Sequence, residues 1–302
     1  MTKCIGCGAL LQKDNKDIKG YVSNDNNLCD RCFKIKNYNL KDNIDVISNT
    51  DLVNKINSMS NHNLFLCDLL SLNDEVINTF NSLNKPKTLV ITKIDIITKN
   101  IDARVLEDRI KSKYNLDNVI LLSIKSGYGI SSIKDILRQN KNILVCGPTS
   151  SGKSSLINYL FNTSLTVSSY SNTTLDFIEI TDSNNTIYDA PGFNFEHILP
   201  DIKLKGSIIP KTINLKTGYK LVIDDVELYT KDTCNITIFF NSNVSISTKR
   251  IDKHHKKHLD ISSSSDLLIN NIGFIYFKSS NKVYFDKGIF TTRKSLIGDN
   301  YE

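Results

Sequence analysis

The sequence contains no tryptophan, no internal repeat and no apolar run approaching the length that crosses a bilayer. The missing runs argue against a membrane-spanning helix, and the missing repeat against a solenoid or propeller. The lack of tryptophan, beside abundant Asn, Lys and Ile, suggests compositional drift towards AT-rich codons and carries no functional argument. Neither charge sign dominates: Lys and Arg outnumber Asp and Glu by 38 to 32, a net charge of +6 that permits an RNA partner without demanding one. With 40% apolar residues in 302, the chain is not disordered as a whole and is long enough for two or three domains with a real core. Seven cysteines, an odd number, disfavour a secreted disulfide framework. Cys4 lies so close to Met1 that no targeting peptide is expected ahead of it, and the expectation is a soluble, cytoplasmic protein without a membrane partner.

The chain changes texture twice. Residues 1–39 carry two C-x-x-C pairs and end in the basic, aromatic run RCFKIKNYN, too short a segment to bury a core of its own. Residues 40–195 alternate short apolar runs with amphipathic stretches: LFLCDLL, TLVITKID, NVILLSIK, NILVCG, DFIEI and TIYDAPG, with ISSIKDILRQN at helical spacing. That pattern predicts the α/β class, a mostly parallel sheet with helices on both faces. Residues 196–302 turn strand-like and predict a β-rich domain, with FIYFKSSNKVYFD as a hairpin and KRIDKHHKKHLD as a basic, helix-like patch. In that patch His254, His255 and His258 suit either a solvated helix face or a metal or RNA contact.

GPTSSGKS, residues 147–154, matches G-x-x-x-x-G-K-[ST] between an apolar strand and the helical KSSLINYLF. Gly147 and Gly152 let the backbone curl, so that amides from Gly147, Pro148, Thr149, Ser150, Ser151, Gly152, Lys153, Ser154 and Ser155 form a phosphate cradle, with proline contributing no N–H. Lys153 is expected to reach the β and γ groups and Ser154 to offer its hydroxyl to Mg²⁺. In DAPG, Asp189 is the expected second Mg²⁺ contact, and the Gly192 amide the sensor of the γ-phosphate. Thr174, in NTTLDFIEI, completes the Mg²⁺ shell when triphosphate is bound. The expected catalytic contributors are Lys153, Thr174 and Gly192.

The base box is TKID. A carboxylate at Asp95 accepts from the ring N–H and exocyclic amine of guanine and meets no such pair on adenine, which favours GTP or GDP over an ATPase or kinase reading. Thr92 opens the box, Lys93 lays its stem along the base, and Ser123, Ile124 and Lys125 form the loop whose amide meets the guanine carbonyl. All five pieces occur, but the base box precedes the phosphate loop. Joining the ends of a GTPase sheet and cutting it elsewhere gives this order, so the predicted fold is a circularly permuted P-loop GTPase domain.

Cys4, Cys7, Cys29 and Cys32 have the spacing of a tetrahedral Zn²⁺ site, with a redox-active pair as the alternative, and the metal would supply the folding energy of so small a segment. Gly6 and Gly8 allow the tight turn and amide bonds to sulfur. Arg31, Lys34 and Lys36 interleave with Phe33 and Tyr38 as an RNA-binding surface, or else as a solvated cap. Cys67, Cys146 and Cys234 are expected to be plain buried thiols.

CIGCG, CDRCFKIKNYN, TKID, SIKSGYGI, GPTSSGKSSLIN, NTTLDFIEI, YDAPGF and the later DLLINNIGFIYF and GIFTTRKSLIG, in this order, resemble the YqeH family of circularly permuted GTPases. The resemblance implies a GTP-hydrolysing factor of small ribosomal subunit assembly, with the small subunit and rRNA as partners. Relatives usually carry Asn at the positions of Thr92 and Ser150. The first change implies a weaker bond to the purine ring nitrogen. The second removes a ligand of potassium-activated relatives and leaves K⁺ dependence open. Phe193 stands where many GTPases place a water-orienting Gln, and no cis arginine finger is evident, so slow intrinsic turnover accelerated by a partner is expected. The DAPG segment runs directly into the last domain, which suggests that γ-phosphate loss reorients it. The rival reading is a zinc- and RNA-binding assembly protein whose nucleotide site barely hydrolyses.

Overall fold

The computed structural model describes residues 2–16, 18–38, 47–97, 101–161, 177–181, 184–198, 208–269 and 272–297, with residues 35–38 described in backbone only. The chain divides into two compact units, Met1–Leu69 with Glu75–Ile94 and Asn118–Phe195, and Leu70–Asp74 with Asp95–Asp117 and Glu196–Glu302. None of the described helices is long and apolar enough to cross a membrane.

In the first unit, α1 (Asp30–Tyr38) follows the cysteine-bearing loops, and α2 (Asn49–Asn57) opens on a Ser48 cap whose hydroxyl accepts the Asp51 amide at 3.1 Å. The sheet is built from β1 (His62–Asp68), β2 (Lys87–Thr92), β3 (Val119–Leu121), β4 (Asn142–Cys146), β5 (Ile178–Thr181) and β6 (Thr186–Asp189). Its order is β3-β2-β1-β4-β6-β5, parallel throughout except for the antiparallel edge strand β5. The unit's helices include α3 (Asp74–Asn81), α5 (Ile130–Gln139) and α6 (Lys153–Phe161), while α4 (Ala103–Tyr114), which lies between β2 and β3 in the chain, belongs to the second unit. Strands buried on both faces need continuous apolar runs, and the buried pattern of β1 and β2 shows why LFLCD and TLVIT do not alternate. One face joins Leu64, Leu66, Val90, Ile143 and Val145 to Ile133 of α5 and to Leu156 and Ile157 of α6. On the other, Phe65 meets Phe80 of α3 edge to face at 5.6 Å.

The second unit is a β-sandwich. Its strands are β7 (Ile208–Leu215), β8 (Tyr219–Ile223), β9 (Val226–Thr230), β10 (Cys234–Asn241), β11 (Ile246–Arg250), β12 (Lys257–Ile261), β13 (Ser265–Ile269), β14 (Gly273–Phe277), β15 (Asn281–Phe285) and β16 (Phe290–Lys294). They form two five-stranded sheets, β16-β13-β14-β10-β7 and β11-β8-β9-β15-β12. Leu221, Leu228, Ile236, Ile238, Leu267, Ile275 and Val283 pack between them.

Two expectations fail here. FIYFKSSNKVYFD is not a hairpin: β14 pairs with β10 and β13 in one sheet, while β15 pairs with β9 and β12 in the other. The three-residue connection spans the sandwich, and local turn chemistry cannot distinguish that from a return. KRIDKHHKKHLD is not helical either; it is the end of β11, a connection and the start of β12. The HHKKH run mimics an exposed helix face because an exposed strand edge is equally polar.

The stretches Leu70–Asp74 and Asp95–Asp117 fold with the sandwich although sequence assigns them to the α/β segment. From α4, Arg109 donates to the Leu296 carbonyl at 3.3 Å and Lys113 to that of Ser295 at 2.8 Å. Arg293, fully buried, donates to the Leu72 carbonyl at 2.9 Å, pairs with buried Asp266 at 3.0 Å and lies 5.1 Å over the Phe274 ring. Such contacts leave no mark in local sequence.

Candidate nucleotide site and metal centre

Parallel order brings the carboxyl ends of β3, β2, β1, β4 and β6 to one edge of the sheet, the edge where α/β folds bind ligands. The loop Ser123–Lys125, the box Thr92–Lys93, the phosphate loop and DAPG leave from those ends. Asp95 follows β2 directly, in the 3-10 turn Ile94–Ile96. Thr174 lies outside the described residues.

The phosphate loop is held from two sides. Gly147 has φ 135°, and a Cβ there would sit 2.0 Å from the Leu66 carbonyl oxygen, so only glycine lets β4 turn away so close to β1. Ser150 at φ 61° and Gly152 at φ 95° complete the left-handed curl. On one side the backbone of Phe193 accepts from the Thr149 amide at 3.0 Å and donates to the Gly147 carbonyl at 3.1 Å, while Pro148 and Phe193 bridge in parallel. Gly192 is consequently so close to the loop that a Cβ would meet Thr149 Cγ2 at 2.6 Å. On the other side the buried Thr92 hydroxyl donates to the Ser151 carbonyl at 2.8 Å. Thr92 therefore ties the base box to the phosphate cradle.

Lys153 is buried at the start of α6, and its ammonium donates to the carbonyls of Gly147 at 3.0 Å and Pro148 at 2.7 Å. Burial brings it down to about 8, against the opposing pull of Asp189. The Ser154 hydroxyl donates to fully buried Asp189 at 2.9 Å. A hydroxyl and a carboxylate oxygen at the amino end of a helix are hard donors that fit Mg²⁺. The buried Ser151 hydroxyl has no hydrogen-bond partner among the described residues. Ser155 is half-buried one residue into the same helix turn.

At the base end, the Ser123 amide donates to the Tyr128 carbonyl at 3.0 Å and the Ser126 amide to the Ser123 hydroxyl at 3.2 Å, a closed turn that includes Ile124 and Lys125. The Leu122 amide bonds the Ile91 carbonyl at 2.8 Å, which joins this turn to the base-box strand. Lys93, at φ 58°, pairs with Asp68 at the end of β1 at 2.9 Å.

Several contributors escaped sequence reading. Asp68 steadies Lys93. Asn49 clasps the backbone of Asn194 from both ends, donating to its carbonyl at 2.7 Å and accepting its amide at 2.9 Å, and so pins the stretch after DAPG. The two residues are 145 positions apart, and no local pattern couples them. Phe193 is fully buried, 5.8 Å from Phe65, and points no polar group anywhere.

The four thiols Cys4, Cys7, Cys29 and Cys32 are buried, with all sulfurs within 4.8 Å of one another. Tetrahedral Zn²⁺ with bonds of about 2.3 Å requires sulfurs about 3.8 Å apart, and Cys7 and Cys29 stand at 3.7 Å. The Gly6 and Cys29 amides donate to Cys4 Sγ at 3.4 and 3.2 Å, as thiolate ligands require. Hydrogen bonding from Cys29, then from Cys32 and Cys7, lowers the Cys4 thiol. The set fits a structural zinc. Cys67, Cys146 and Cys234 are buried and unbridged, and burial pushes Cys146 up to about 12. Arg31, Phe33 and Lys34 lie on the first turns of α1 with Phe33 exposed; the side chains of Lys36 and Tyr38 lie outside the described residues.

The profile of the RsgA GTPase family matches residues 29–198, more than half of the chain. The chain belongs to the RsgA GTPase family. A second profile, that of the 50S ribosome-binding GTPase, matches residues 142–269 and begins at β4, the strand that leads an unpermuted GTPase. Among similar proteins, YqeH of Bacillus subtilis (strain 168), itself named uncharacterized, is 29% identical over 246 residues, covering 70% of this chain and 67% of that protein. The small ribosomal subunit biogenesis GTPase RsgA of Prochlorococcus marinus (strain NATL1A) is 38% identical over 120 residues, 37% of this chain and 38% of that one. NO-associated protein 1, chloroplastic/mitochondrial, of Arabidopsis thaliana is 25% identical over 245 residues, 64% of this chain and 44% of that one. The match thus spans about two thirds of YqeH and under half of the other two. The YqeH-type, circularly permuted GTPase expected from sequence holds: the RsgA GTPase profile and the strand order agree on it.

Proposed function

We propose that this protein is a GTP-hydrolysing factor of ribosome assembly that acts on the small subunit and its rRNA, with slow intrinsic turnover that the partner accelerates. The observation that carries the reading is the RsgA family match on a sheet whose edge gathers the phosphate loop, DAPG and the base box. The names of two relatives, small ribosomal subunit biogenesis GTPase and probable ribosome biogenesis GTPase A, supply the assembly setting. A reduced, zinc-fitting thiol cluster suits a cytoplasmic, reducing compartment.

In this mechanism Asp95 selects guanine and the turn Ser123–Lys125 receives the base carbonyl. The amides from Ser150 to Ser155 and the amino end of α6 hold the phosphates, and Lys153 turns from its two carbonyl partners to the β and γ groups. Ser154, Asp189 and Thr174 would hold Mg²⁺, which spreads the charge on the phosphates. Gly192, which packs on Thr149, would sense the γ-phosphate. Ser150 stands where potassium-activated relatives carry a ligating Asn, so K⁺ dependence stays open. With the buried Phe193 ring where a water-orienting amide would serve, this chain alone positions the attacking water poorly.

Turnover of purified protein, with and without assembling small subunits and with Lys153→Ala as the inactive control, tests the proposal. Stimulation by the subunits is expected. Equal rates with and without them reject the partner, and rates matching the control reject hydrolysis in favour of a nucleotide-gated binding protein.

A further inference from the structure

The permutation leaves a cut in the chain beside DAPG. Read from β4 onward, in the order of an unpermuted GTPase, the sheet runs β4, β5, β6 and then β1, so α2, which leads into β1, is the helix that would follow DAPG. In this chain 145 positions separate Asn49, the first residue of α2, from Asn194, two residues past Gly192. Two hydrogen bonds bring them together. The Asn49 side-chain amide donates to the Asn194 carbonyl at 2.7 Å, and its carbonyl oxygen accepts the Asn194 N–H at 2.9 Å.

The helix is a firm anchor for this clasp. Helical spacing puts Asn49, Leu52 and Ile56 on one face, and both apolar residues are fully buried. Further along α2, Lys55 lies 4.7 Å over the ring of Phe177, which leads from the Thr174 stretch into β5. Around Gly192 the backbone is already tied elsewhere: the Ala190 amide donates to the Val145 carbonyl at 3.0 Å, and Phe193 bonds Gly147 and Thr149 at 3.1 and 3.0 Å. Gly192 sits inside that short span, with a Cβ excluded by Thr149 Cγ2 at 2.6 Å. Of these ties, the clasp is the one made by a side chain, and it can be removed without touching the phosphate loop.

We infer that Asn49 is a positioning residue for GTP hydrolysis: it re-ties, without a covalent bond, the point at which the permutation parts DAPG from α2, and so holds the Gly192 amide ready for the γ-phosphate. Ordering that span in advance removes its entropic cost from the binding of triphosphate, while GDP, which has no γ-phosphate, gains nothing from it. The inference rests on the reading of Gly192 as the γ-phosphate sensor. A side-chain amide can also bridge backbone groups merely to satisfy them. The two roles differ in nucleotide dependence, since a purely structural bond, once lost, weakens GTP and GDP alike.

Displacement of methylanthraniloyl-GDP from the full chain by GDP and by a non-hydrolysable GTP analogue, with single-turnover hydrolysis of GTP on the same samples, provides the test. Asn49→Ala should lower both analogue affinity and hydrolysis rate by about tenfold, the worth of two hydrogen bonds, and leave GDP affinity at the wild-type value. Asn49→Asp keeps the size and suits the first turn of a helix, but sets a carboxylate against the Asn194 carbonyl and should lose the analogue likewise. Asn194→Ala keeps both backbone partners of the clasp and should behave as wild type. Equal loss of analogue and GDP, wild-type discrimination in either Asn49 variant, or damage from Asn194→Ala equal to that from Asn49→Ala would each overturn the inference. Gly192→Ala tells the two failures apart. If it too leaves analogue affinity intact, the sensor reading is at fault; if it loses the analogue and Asn49→Ala does not, only the clasp is.

Discussion

The nucleotide-bearing sheet and the carboxy-terminal sandwich handle buried charge in opposite ways. In the first, the buried cation Lys153 is held by two carbonyls and pushed down to about 8 by burial. In the second, buried Arg293 is neutralised by Asp266, an ion pair at 3.0 Å, and further bonded to the Leu72 carbonyl. A cation waiting for phosphate is a cost to the fold, whereas a completed pair specifies one packing. Substitutions at the two places should therefore move stability and function in different directions.

The largest effect is expected in the sandwich. Asp266→Ala strands the Arg293 guanidinium in a dry interior and should cost about 3–5 kcal/mol, read as a lowered midpoint of chemical unfolding. Replacing both partners with apolar residues, Asp266→Leu with Arg293→Met, should recover much of that loss. If the single change is silent, the pair is not buried in solution. Next in size, Lys153→Met should reduce GTP affinity by roughly 10- to 100-fold, the worth of charge-assisted hydrogen bonds, while leaving stability unchanged or higher. A stability loss comparable with that of Asp266→Ala would erase the contrast.

The same contrast explains what sequence revealed. The nucleotide sheet was legible because phosphate chemistry demands local patterns: a glycine where Gly147 approaches Leu66, a lysine six residues on, a strand before and a helix after. The four-cysteine site was legible for the same reason, since one tight turn presents Cys4 and Cys7 and the start of α1 presents Cys29 and Cys32. In the sandwich the chain passes between sheets through connections no different from hairpin turns, so β14 and β15 looked like partners and are not. The clasp of Asn49 on Asn194 and the hold of Arg293 on Leu72 join residues far apart in the chain, and only folding reveals them.

Proton linkage sharpens the comparison further. Lys153 in the free protein titrates near about 8, and contact with phosphate returns it towards the ordinary lysine range. Binding is then coupled to proton uptake above that value: affinity for GTP should be flat below pH 8 and fall as pH rises through it, by up to about tenfold per unit. For the free fold the sign is reversed, because the buried charge is shed as pH rises and its cost disappears. Calorimetric titration in buffers of different ionisation heat measures the uptake directly. Lys153→Met should abolish it, and an uptake that survives this substitution belongs to another group.

The smallest effect concerns Thr92, where one hydroxyl proton must serve a site that an asparagine serves with two. That proton is donated to the Ser151 carbonyl at 2.8 Å, so none remains for the purine ring nitrogen. Wild-type protein should bind 7-deaza-GTP, which lacks that acceptor, as well as GTP. Thr92→Val removes the tie to the phosphate loop and should weaken both nucleotides alike, by about 1 kcal/mol or roughly fivefold. Thr92→Asn supplies one donor to Ser151 and a second to the base, and should create a preference of a few-fold for GTP over its deaza analogue. A wild-type protein that already discriminates between the two would mean that Thr92 turns to the base when nucleotide is bound, and that the phosphate loop does not need this tie once phosphate fills it.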